Sequence, residues 1–145
     1  MTSRRLILLA AATTLALAPF CRAQSDNQVE ARKVALDLAG AFANDGFKVR
    51  DGYWTGTVKQ GDRAVVAVNL YAGNEYWFSV AGADKGPKFS LGVYDENGKP
   101  VEPEDFAEED KAAAGFSPAI SGQYFVSIAA PEGDTGTLCL VYSYK

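Results

Sequence analysis

The sequence predicts a mainly β protein: an antiparallel, jelly-roll-like β-sandwich of about eight strands with one N-terminal α-helix. Three observations carry this reading. From Tyr53 onward apolar side chains recur at every second position, as they do along half-buried strands. Clusters of Gly, Pro, Asn and Asp separate these runs at short intervals. Ahead of Tyr53 a single stretch has helical periodicity instead.

The chain opens "MTSRRLILLAAATTLALAPFCRAQS". Arg4 and Arg5 precede an apolar run from Leu6 to Ala18, then Pro19 and a short polar stretch ending in Ala23. That order describes a secretory leader over residues 1–23, cut after Ala23. The run falls short of the roughly 20 apolar residues of a membrane span. "SRRLIL" also resembles a twin-arginine signal, so both that route and the general one stay open. Cys21 follows "APF", a poor match to a lipidation box. The expected location is therefore periplasmic or secreted.

Residues 24–47 carry the helix. In "NQVEARKVALDLAGAFANDGF", Val34, Leu38, Ala41 and Phe42 fall on one stripe. Asn27 with Glu30 three residues on would cap its start, and Asn44, Asp45 and Gly46 would end it. The narrow, alanine-rich stripe suits a helix laid on its own domain, with partner binding as the alternative.

Residues 48–145 form the sandwich. Strands are expected near 53–59, 63–71, 75–81, 88–94, 99–101, 112–117, 122–130 and 136–144. In "EYWFSV", Tyr76, Phe78 and Val80 share one face and are the better core candidates; Glu75, Trp77 and Ser79 share the other. Phe89, Leu91 and Val93 repeat the pattern, as do Tyr124, Val126 and Ile128.

Loss of the leader removes Arg4, Arg5 and Arg22 from the fourteen basic residues. Eleven then stand against eighteen acidic ones, a formal charge of −7. Such a surface argues against nucleic acid and against anionic membranes. The processed chain is long enough for one domain with one core. It keeps one cysteine, Cys139, which "TLCLVYSY" places on a strand; it reads as a buried small apolar residue, with a bridge between chains as the alternative.

Three stretches resemble the bacterial pre-peptidase C-terminal domain. Leu70, Ala72, Gly73, Tyr76 and Phe78 match its first hairpin. Asp95 and Gly98 match its "D-x-x-G" turn, and Pro118, Ser121, Gly122 and Tyr124 match its second hairpin. The resemblance runs from Thr57 to Tyr144. It implies a compact β-sandwich of the kind appended to exported enzymes, some members binding calcium and others matrix or polysaccharide. Here no protease domain accompanies it, and a helix takes the preceding place.

The turn "DENG" needs no ligand: Asp95 can bond its backbone and Gly98 supplies a positive φ. The acidic stretch that follows, "VEPEDFAEED", reads as a solvated loop that discourages edge pairing. Calcium, which takes six to eight oxygens, is the alternative, with Asp95, Asn97, Glu102, Glu104 and Asp105 as candidate ligands. The spacing is not that of an EF-hand.

Aromatic rings anchor proteins and stack on sugars, which makes Tyr53, Trp54 and Trp77 the candidate binding residues. The alternative for Trp77 is a place beneath the helix. The chain has no histidine, which removes Ser-His-Asp and Cys-His nucleophile systems and His-ligated zinc. No glycine-rich phosphate loop joins a strand to a helix. The expectation is an exported, non-catalytic binding or accessory module. Its ligand would be a protein or polysaccharide, without a cofactor unless calcium binds. The alternatives are a structural subunit of an envelope assembly and a cryptic hydrolase.

Overall fold

The computed structural model describes residues 25–83, 88–108, 111–132 and 136–145. The leader expected over residues 1–23, Cys21 within it, and Glu109 and Asp110 of the acidic stretch lie outside the described residues.

Helix α1 spans Asp26–Gly40 and a 3-10 turn follows at Ala43–Asp45. Its cap is Ser25, not the expected Asn27. Ser25 Oγ accepts from the Gln28 amide at 3.3 Å, and Gln28 Oε1 accepts from the Ser25 amide at 3.1 Å, a reciprocal pair. Asn27 and Glu30 then fall inside the helix, past its cap. The expected stop also moves: α1 ends at Gly40 with Ala41 as its cap, and Gly46, whose φ of 91° suits glycine, closes the 3-10 turn instead.

Ten strands follow. They are β1 (Lys48–Val49), β2 (Trp54–Val58), β3 (Arg63–Leu70), β4 (Tyr76–Gly82), β5 (Lys88–Tyr94), β6 (Pro100–Val101), β7 (Glu104–Glu108), β8 (Lys111–Phe116), β9 (Gly122–Glu132) and β10 (Gly136–Tyr144). All eight expected strands are present. Two are additional: the short β1, and β7, which lies in the stretch expected to be a loop. Its sequence "EDFAE" is poor in strand-forming residues, but an edge strand tolerates and uses charge.

Every strand pairing is antiparallel. One sheet runs β2-β10-β4-β8-β7, with β1 beside β2 along the same side of β10; the other runs β3-β9-β5-β6. Strands β2-β10-β4-β8 facing β3-β9-β5-β6 have the order of a jelly roll. The alternation read from sequence holds where it was clearest. Tyr76, Phe78, Val80, Phe89, Val93, Tyr124, Val126 and Ile128 are all buried in the core between the sheets, and Leu91 packs at its margin.

The outer face of the first sheet is covered by α1. Here the expected stripe needs correction. The helix buries Ala31, Ala35 and Ala39, while Val34 and Leu38 are only half-buried and Ala41 is exposed. Alanines let the helix approach Ala81, Cys139 and Val141 closely, forming a second apolar layer. No helix among the described residues is long and apolar enough to cross a membrane.

Candidate binding surface

Three turns meet at one end of the sandwich: residues 71–75 between β3 and β4, 95–99 between β5 and β6, and 117–121 between β8 and β9. Side-chain hydroxyls brace the first and third and join them to each other. Tyr76 Oη accepts from the Tyr71 amide at 2.9 Å and from Asn74 Nδ2 at 3.2 Å. The Ala72 amide donates to Ser121 Oγ at 2.8 Å, joining the first turn to the third. Tyr124 Oη donates to the Ile120 carbonyl at 2.8 Å. In the middle turn Asp95 Oδ1 accepts from the Asn97 and Lys99 amides, both at 2.9 Å. Gly73 and Gly98 hold φ of 92° and 75°, which few other residues adopt cheaply. Of the residues quoted for the family resemblance, Ala72, Tyr76, Asp95, Ser121 and Tyr124 make these ties, Gly73 and Gly98 take the turn conformations, Leu70 and Phe78 lie in the core, Gly122 pairs with Leu70, and Pro118 is buried.

The fixed turns present two apolar side chains to solvent. Ile120 is 74% exposed and Tyr71 is 55% exposed. Sequence reading missed both, because an apolar residue at a turn carries no periodic signal. Beside Ile120 is a hollow of about 160 Å³ that it lines together with Asp95, Glu96, Asn97, Ser121 and Gln123, among others. A second hollow, of about 220 Å³, is lined by Phe47, Trp77, Glu75, Glu102, Glu104 and Phe116, among others. Lys145 Nζ lies 3.0 Å from Glu75 Oε2 and 4.5 Å from the Phe47 ring centre. The end of the molecule is thus apolar at its tip and acidic around it.

The structure separates the three candidate aromatics. Trp77 faces outward from the first sheet, stacked on Phe42 with ring centres 4.3 Å apart and planes 9° apart. Its indole also lies against Gly115, where an added Cβ would come within 2.9 Å of the ring. Trp54 sits opposite Leu140, faces inward and packs against the core beside Gly56. Trp54 and Trp77 therefore point to opposite faces of one sheet. Tyr53, 44% exposed, lies under the Arg32 guanidinium at 4.2 Å and links the helix to the start of β2.

The candidate calcium ligands are also spread out. Asp95 and Asn97 line the first hollow, Glu102 and Glu104 the second, and Asp105 a third of about 130 Å³ beside Phe106. Among the described residues no three His, Cys, Asp or Glu side chains come together as a metal-holding group.

A comparison with known protein families finds no family model that matches the chain, and a comparison with curated proteins finds no match either. Solved structures give loose likenesses. One is the periplasmic lysozyme inhibitor of g-type lysozyme PliG from Aeromonas hydrophila: 14% identity over 70% of this chain and 90% of that one, TM-score 0.48. Another is the SPBc2 prophage-derived protein YomS: 13% identity over 66% of this chain and 98% of that one, TM-score 0.32. At these values neither bears on what this chain binds.

Proposed function

We propose that the chain is an exported, non-catalytic β-sandwich module that binds a protein partner through the loop end. The observation that supports this most is Ile120, an aliphatic side chain held out in water on a turn that hydrogen bonds keep in place. Ordered turns carrying exposed apolar groups lower the entropy lost on binding. An aliphatic knob has no flat face for stacking on sugars, so it favours protein over polysaccharide. The hollow beside it, with Asp95 and Glu96 in its lining, favours a partner with a basic rim. Kinship with pre-peptidase C-terminal domains is part of this proposal, as is export by the leader.

An array of purified envelope proteins and glycans probed with the exported chain tests the reading. Capture by a protein is expected, with Ile120→Asp weakening it about 10- to 100-fold and Tyr71→Ala less, as for central contact residues. Capture by glycans alone, or protein capture that Ile120→Asp leaves intact, contradicts it. The reading uses no metal. Melting temperatures in calcium and in chelator are therefore expected to agree; a clear rise with calcium would instead support the carboxylate site.

A further inference from the structure

We propose that β3 is an open pairing edge to which a second copy of this chain adds, β3 against β3, so that the four-stranded sheet continues across a two-fold axis. Sheet edges carry unpaired N–H and C=O groups, and proteins that stay apart block them with charge, proline, bulges or brevity. The other edges here are blocked in these ways. β7 reads "EDFAE". β6 has two residues, one of them Pro100, and β5 beyond it has a register shift between Lys88 and Ser90. On the far side of β10 the edge is broken into β1 and β2, with residues 50–53 between them.

β3 has none of these devices. It runs eight residues, "RAVVAVNL", in unbroken register from Arg63 opposite Ala129 to Leu70 opposite Gly122. It pairs with β9 and with no other described strand. Its one charge is Arg63, at the first residue, and Val65 is 57% exposed on its outer face.

A like copy is the occupant that the charge pattern selects. The chain is acidic, so two copies repel over most approaches. Neither β3 nor the neighbouring outward positions of β9 (Gln123, Phe125, Ser127, Ala129) carry a carboxylate. Residues directly opposite in an antiparallel pair share a face. A register centred on Val66 obeys this rule. It sets Val66 on its symmetry mate, Val65 opposite Ala67, Ala64 opposite Val68, and Arg63 opposite Asn69. Antiparallel pairing also turns the two loop ends away from each other, giving a dimer with two outward binding ends. The inference does not depend on what those ends bind.

Analytical ultracentrifugation of the exported chain from about 1 to 500 µM reads the association directly. A concentration-dependent dimer is expected. The double variant V65K/A67K alters two exposed side chains, sets like charges opposite each other across the axis, and should weaken the dimer at least tenfold, with an unchanged circular dichroism spectrum. Mixing it with V65E/A67E should restore association as a mixed dimer. A monomer throughout, a dimer indifferent to the lysine pair, or no recovery on mixing would each overturn the proposal.

Discussion

Beneath α1, Cys139 is closed off from solvent, and burial pushes its thiol up from 9.0 to about 11 while the Arg32 charge pulls the other way. A group held in its neutral form by folding contributes stability that is fully present below the unfolded-state value near 9. That contribution is lost as pH rises toward 11, because the unfolded chain ionises first. Thermal unfolding midpoints should therefore fall between pH 9 and 11, and fall less in Cys139→Ala. Equal pH slopes for the two chains would contradict this account. The strand pattern of "TLCLVYSY" made the burial of Cys139 legible, and alternation in "EYWFSV" put Trp77 on the face away from the core. It did not reveal that Ser79 and Ser143 are buried on that same face with no described residue hydrogen-bonding their hydroxyls. Nor did it show Ser25 as the helix cap, since several residues near a helix start can serve and only the backbone path decides.

Element by element, α1 is held by close approach more than by bulk. Ala31, Ala35 and Ala39 touch the sheet, and Phe42 reaches beyond the helix to stack on Trp77. Ala35→Leu has no room, so it should destabilise the protein by about 1–3 kcal/mol. It should also raise the reactivity of Cys139 toward thiol reagents as the helix lifts. Unchanged stability and a silent thiol would show that the helix is not packed as described. The position of the helix followed from its periodicity, but its buried line did not. Larger apolar residues flank that line, and sequence reading weights them over alanine. The same bias toward apolar pattern hid β7, whose charges suit an edge strand and whose "EDFAE" imitates a loop. The strands from β2 to β6 and from β8 to β10 were legible because their alternation and turn residues agree with each other.

For the whole molecule, the two sheets set the stage and the turns at one end carry the function proposed. The sandwich could be read from sequence because many residues repeat the same instruction along the strands. The loop end could not, because it depends on a hydroxyl tie between turns distant in sequence, Ala72 to Ser121. Its apolar tips, Tyr71 and Ile120, were single residues without a pattern. The candidate aromatics were legible as residues but not as a surface, since the sheet sends Trp54 and Trp77 to opposite faces. Photo-crosslinking in cells that produce the chain tests the central claim most directly, with the reactive group at position 120 or, as the control at the opposite end, at position 59. The account predicts one dominant protein adduct from position 120 and none of that adduct from position 59. The same adduct from both positions, or none from position 120, would contradict it.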